Sequence, residues 1–195
     1  MSRSAYPIDY PAVEQLRMIV SKNWSFPDNS CDEVFPGILL GDALIARDVR
    51  ALAELGVTHV LNAAVGVDPV RYVDTSEHFY LARKYRCKFM GIPAMDIQSF
   101  QLAPYFHETS EFIADALRNC EGKVLVHCLQ GLSRSATLVL AFLIIKKGMT
   151  VKEAVEMVRG KRRIYPNDGF LQQLCDLEVR IQRLNNMNFE PYNLR

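Results

Sequence analysis

The sequence predicts an α/β fold, a central and mainly parallel sheet flanked by helices. Segments of strand-like and helix-like periodicity alternate from Asp32 onward, the pattern that lines strands side by side and covers them with helices. The stretch at 123–127, Lys-Val-Leu-Val-His, is apolar at successive positions, as a strand covered on both faces must be. A chain of 195 residues, 49% hydrophobic and 23% charged, is long enough to bury its own core without disulfide or metal staples.

Residues 1–31 read as an appended arm. Pro7, Pro11 and Pro27 surround one helical stretch at 11–22, whose Val13, Leu16, Ile19 and Val20 fall on one face. A short strand follows at 37–40, a helix at 43–55, a β-rich run at 57–63 and another strand at 87–92. A helix over 105–118 leads into the strand at 123–127, then a turn and a helix over 133–147. Thr150 with Glu153 forms a capping box that opens a helix reaching 159, and Asn167 or Asp168 caps a last helix running to 184. Residues 32–184 are expected to form one domain and 185–195 a frayed tail.

Composition narrows the function. With 23 basic against 22 acidic residues there is no broad electrostatic footprint, so neither nucleic acid nor an anionic membrane is an expected partner. Cys31, Cys87, Cys120, Cys128 and Cys175 contain no CxxC pair, and their odd number points to reduced thiols in a reducing compartment. The longest strongly apolar run, 136–145, falls well short of the ~20 residues that span a bilayer. The amino terminus also lacks the charged-then-apolar layout of a signal peptide, so a soluble protein of the cytoplasm and nucleus is expected. His59, His78 and His107 have no partner at metal-ligand spacing, and neither a metal nor a cofactor is expected.

The chemistry concentrates in Val124-Leu-Val-His-Cys-Leu-Gln-Gly-Leu-Ser-Arg-Ser-Ala. A strand runs into Cys128, and a helix begins near Arg134, the sixth residue after it. The backbone N–H groups of Leu129, Gln130, Gly131, Leu132 and Ser133, with the helix N-terminus, can converge on a phosphate-sized anion. Gly131 suits a loop that needs φ > 0 or a close ligand, and the planar fork of Arg134 matches two oxygens of a phosphoryl group. A thiol at the floor of such a nest is held as the thiolate and is nucleophilic. His127 points to the opposite face and orients the loop by hydrogen bonding. Ser135 either donates its hydroxyl proton toward the sulfur, easing its departure from a covalent intermediate, or caps the helix; the two roles are compatible.

His127-Cys128-Leu129-Gln130-Gly131-Leu132-Ser133-Arg134-Ser135 resembles the HCxxGxxRS signature of cysteine-dependent protein tyrosine phosphatases, and its surroundings are similar to the atypical dual-specificity phosphatases of the VHR type. Further segments share the resemblance: Asp32-Glu-Val with Leu40-Gly-Asp, Val57-Thr-His-Val-Leu-Asn-Ala-Ala, and Pro166-Asn-Asp-Gly-Phe-Leu. It implies a protein tyrosine phosphatase-like fold and removal of phosphate from phosphotyrosine and phosphoserine or phosphothreonine in proteins, MAP kinases among them. By the same resemblance Asp96, in Gly91-Ile-Pro-Ala-Met-Asp96, is the general acid. Arg162, with Arg163 as its near alternative, contacts the substrate. Gln130, Leu132 and Tyr165 depart from the VHR pattern, a change of substrate preference rather than of chemistry.

Taken singly these residues have plainer roles. Cys128 alone is a small buried hydrophobe, Asp96 a turn cap, and Arg162 a solvated helix end favoured by the macrodipole. Their spacing changes the reading. A sulfurtransferase of the rhodanese type closes its loop with one residue fewer. A phosphatase for RNA 5′ ends or phosphoinositides calls for a more basic surface. A non-catalytic phosphate-binding module would lack the cysteine, the arginine or the acid, and this chain has all three.

Overall fold

The computed structural model describes residues 10–25 and 28–188. Five strands form one sheet in the order β1-β2-β5-β3-β4: β1 (Cys31–Phe35), β2 (Ile38–Gly41), β5 (Lys123–His127), β3 (Val57–Asn62) and β4 (Lys88–Gly91). Only β1 runs antiparallel, and β5 lies in the middle, as its two-sided apolar pattern requires. Strand alternation sorts the core. Leu39, Val60 and Leu125 face a smaller cluster under α2 (Ala43–Arg47), α3 (Val49–Glu54) and α4 (Glu77–Ala82). Their neighbours Ile38, Leu40, Leu61, Val124 and Val126 face the larger cluster with α5 (Phe106–Leu117), α6 (Arg134–Lys147), α7 (Val151–Arg159) and α8 (Asp168–Asn188). Helix α6 is buried from Arg134 to Ile144 on every side, because α5, α7, α8 and the sheet surround it, and Gly148 ends it at φ 67°.

Several expected boundaries move. The helix expected over 43–55 is two helices, because the Asp48 carboxylate accepts the N–H groups of Arg50 and Ala51, both at 3.1 Å, and starts a new helix. Strand β1 was absent from the sequence reading: it is an edge strand whose Asp32 and Glu33 break the apolar pattern. Helix α4 was also missed. Ser76 caps it through Phe79 N at 3.2 Å, and the buried Tyr80 hydroxyl donates to the Ala46 carbonyl at 2.9 Å. The last helix extends to Asn188, past the expected end at 184, and the rest of the tail, like residues 1–9, lies outside the described residues.

The helix within the expected arm is not an appendage. Val13, Leu16 and Val20 of α1 (Tyr10–Val20) join the main core, and α1 packs against α7 and α8. Buried Arg159 donates to the Val20 and Lys22 carbonyls, at 3.4 and 2.5 Å, satisfying the end of α1. Arg17 forms a two-point pair with Asp168 at 3.0 and 2.9 Å.

Candidate active site

The carboxyl ends of β2, β5 and β3 are level, since Gly41 and Asn62 both pair with His127. The loop 128–133 therefore emerges between two other strand ends. Its carbonyls are held outward: Leu129 O accepts from Ala43 N (3.1 Å), Gln130 O from Arg162 Nη2 (3.4 Å), Gly131 O from Arg162 Nε (3.2 Å) and Leu132 O from Tyr165 N (2.7 Å). In a trans peptide the N–H points opposite to the C=O, so the N–H groups of residues 130–133 turn inward. That is an anion nest made by tying down its back. Gly131 sits at φ 69°, and a Cβ there would lie 2.5 Å from the Gly41 carbonyl oxygen, so both conformation and space demand glycine.

Cys128 is 2% exposed at the floor of the nest. Its Sγ accepts from Gly131 N at 3.3 Å and from Ser135 Oγ at 3.2 Å, the second within the first turn of α6. Arg134 is 4% exposed. Its Nη1 donates to the carbonyls of Arg71 (2.7 Å) and Ala94 (3.1 Å), which fixes the plane of the guanidinium. Its buried Nε has no hydrogen-bond partner among the described residues, a donor suited to a phosphoryl oxygen.

Asp96 stands across the loop. Its Oδ1 accepts from Ser133 Oγ at 2.7 Å and Asn167 Nδ2 at 2.9 Å, while Oδ2 lies 3.7 Å from Arg134 Nε. Asn167 Oδ1 in turn accepts Phe170 N at 3.0 Å at the start of α8, so the amide has one orientation, with its NH2 toward the acid. With Oδ1 occupied by two donors, the proton of the acid form belongs on Oδ2. Ser133 makes no capping bond to α6: its hydroxyl donates to Asp96 and its oxygen accepts from Asn167 N at 3.3 Å.

His127 is fully buried on the opposite face, and burial pushes its pKa down to about 3. Thr75 Oγ1 accepts from Asn62 Nδ2 at 3.0 Å, so its proton goes to His127 Nε2 at 3.2 Å. The imidazole is then neutral, with Nδ1–H turned to the Cys128 carbonyl 3.5 Å away.

Arg162, expected to contact substrate, is 5% exposed; it holds the loop from outside and also lines the groove beside Gln130 and Leu132. Its donors go to the Gln130 and Gly131 carbonyls, to Asn29 O at 2.7 Å and to the Asp32 carboxylate at 2.7 Å. The loop takes the guanidinium because its two carbonyls need donors and Asp32 balances the charge. Arg163, the alternative, is exposed and faces Asp28 at 3.5 Å. Sequence reasoning missed Asp32, Thr75, Asn62 and the second bond of Asn167. Asn62 carried a signal, a polar side chain ending an apolar strand; Asn167 was read only as a cap.

A cleft of about 600 Å³ lies beside the loop, lined by Val70, Arg71, Met95, Asp96, Ile97, Leu129, Gln130 and Arg134. Among the described residues no helix is long and apolar enough to cross a membrane.

Comparison with known proteins agrees with this geometry. The family model described as dual specificity phosphatase, catalytic domain, matches residues 38–180. Human dual specificity protein phosphatase 13B is 44% identical over 92% of this chain and 88% of its own length. Bovine dual specificity protein phosphatase 26 is 41% identical over 80% of this chain and 70% of its own. Among solved structures, human DUSP28 superposes with a TM-score of 0.68 at 26% identity, covering 82% of this chain and 99% of that one. A mouse putative dual specificity phosphatase complexed with zinc tungstate gives 0.68 at 25% identity, covering 85% and 97%.

Proposed function

The chain belongs to the dual specificity phosphatase family, whose reaction is removal of phosphate from phosphotyrosine and phosphoserine or phosphothreonine in proteins through a phosphocysteine, and from that premise we propose how its own residues divide the work. The phosphoryl group enters the nest, where the inward N–H groups and Arg134 hold its non-bridging oxygens. The Cys128 thiolate attacks phosphorus in line with the leaving oxygen, and Asp96 protonates that oxygen from Oδ2. A water, deprotonated by the now ionised Asp96, then cleaves the phosphorus–sulfur bond, and the Ser135 hydroxyl stabilises the departing sulfur. His127 holds the loop without exchanging protons.

The outward tethering of the loop carbonyls carries this reading, because it fixes the N–H groups around the Cys128 sulfur before any ligand arrives. Cys128→Ser tests it. The hydroxyl keeps the loop but is not ionised at neutral pH, so turnover should vanish while tungstate still binds. Turnover near the wild-type rate refutes the covalent route. We also propose MAP kinases among the substrates, and cytoplasm and nucleus as compartments; the resemblance to the VHR-type enzymes supports the former, the cysteine usage the latter.

A further inference from the structure

We propose that the catalytic cleft selects protein substrates carrying a large aliphatic or aromatic side chain next to the phosphorylated residue. The proposal rests on Cys128 being the nucleophile and adds the substrate class. Three large apolar side chains stand open along the cleft: Val70 at 77% exposure, Ile97 at 47% and Met95 at 40%. Val67, on the same loop as Val70, is 94% exposed. Soluble proteins seldom leave such side chains together in the open unless the surface is used.

This wall is rigid and tied to the chemistry. In the loop bearing Val70, Asp68 Oδ1 accepts Val70 N at 3.0 Å, and the Asp68 carbonyl accepts Arg71 N and Tyr72 N at 3.2 and 2.8 Å. The Tyr72 ring packs so closely on Gly66 that a Cβ there would lie 2.6 Å from it. The next carbonyl, Arg71 O, is the one that Arg134 grips at 2.7 Å. Met95 and Ile97 flank Asp96, which Ser133 and Asn167 hold. A substrate whose phosphate meets Arg134 and whose leaving oxygen meets Asp96 must therefore lay an adjacent residue, about 3.3–3.8 Å along the chain, against Val70, Met95 and Ile97.

The two sides of the loop differ. Across Leu129 and Gln130 lies a second groove of about 450 Å³ of mixed character, where Asp28 and Asp32 are paired with Arg163 and Arg162 beside Trp24 and Leu44, whereas the cleft presents Val70, Met95 and Ile97 together. Within the cleft the charged groups Asp96 and Arg134 are committed to the reaction. Arg71, which faces Asp68 at 3.9 Å, makes an acidic flank the competing occupant.

The experiment measures kcat/KM for phenyl phosphate and for phosphotyrosine peptides identical except for Leu, Ser or Asp immediately before or after the phosphotyrosine. Leucine on one of the two sides should exceed serine by about 10-fold. Val70→Asp and Ile97→Asp should each bring that Leu-to-Ser ratio toward one, a readout that cancels any general loss of folded enzyme. Equal rates for Leu and Ser on both sides overturn the proposal, as does a preference for Asp that disappears in Arg71→Ala. In both cases phenyl phosphate is still hydrolysed and the phosphatase reading stands. Failure to hydrolyse phenyl phosphate at all removes that reading and this proposal with it.

Discussion

Replacing Arg162 by methionine separates a loop support from a substrate contact. The variant keeps an apolar stem but loses the guanidinium that reaches Gln130 O, Gly131 O, Asn29 O and Asp32. Breaking a buried ion pair by removing one partner costs about 3–5 kcal/mol. The Asp32 side chain keeps 20% of its surface in water, and the loop contacts are long at 3.2 and 3.4 Å, so the lower half of that range applies. In a chain of this size about 3–4 kcal/mol lowers Tm by about 6–16 °C. The freed carbonyls can then swing inward and turn the N–H groups out of the nest, so kcat/KM for phenyl phosphate should fall by about 10-fold or more. Adding Asp32→Asn removes the stranded charge and should recover part of the Tm loss. Thermal denaturation and phenyl phosphate kinetics on the two variants check this. An Arg162→Met enzyme with wild-type Tm and wild-type phenyl phosphate turnover, impaired only on peptides, would restore the substrate-contact role and refute the argument.

Four more outcomes follow from the same geometry. Asp96→Asn should slow hydrolysis of an alkyl phosphate by about 10²–10⁴-fold, and much less for an activated aryl phosphate. Asn167→Ser, which keeps a helix cap but loses the amide donor to Asp96, should show a smaller loss with the same leaving-group dependence; equal losses on both substrates would deny the positioning role. Gly131→Ala should abolish tungstate binding and cost at least about 1–3 kcal/mol in urea unfolding, because it adds strain at φ 69° to a clash with Gly41 O. For His127, the folded pKa of about 3 lies below the unfolded value of about 6.5, so the unfolded chain binds the proton first and stability falls as pH drops through that interval. Its imidazole NMR shifts should stay constant from about pH 8 to pH 5, and a titration near 6.5 would contradict its burial.

The features legible in the sequence are those set by local periodicity and by one short motif. The strand 123–127, the capping box at Thr150 and the spacing of Cys128, Gly131 and Arg134 depend on neighbouring residues, and each is where it was expected. Arg162, Asp32 and Thr75 were not legible in their roles, because each acts on a group far away in the chain. Arg162 sits in a basic run that looks like a solvated helix end, and only tertiary packing turns it under the loop. The break at Asp48 was local but ambiguous, since an aspartate within an apolar helical pattern can either face solvent or cap a new helix.

The docking of α1 has a consequence for how the chain folds. Its partners are made much later than it is: Arg17 and Asp168 are 151 residues apart, and Arg159 and Val20 are 139 apart. At about 5–20 residues per second, α1 leaves the ribosome roughly 7–30 s before the helices that cover it. Throughout that interval Val13, Leu16 and Val20 form an apolar stripe without its native cover. Helix α1 is thus made well before it is buried, which makes it the natural site for chaperone contact during synthesis and ties completion of the core to the arrival of α7 and α8.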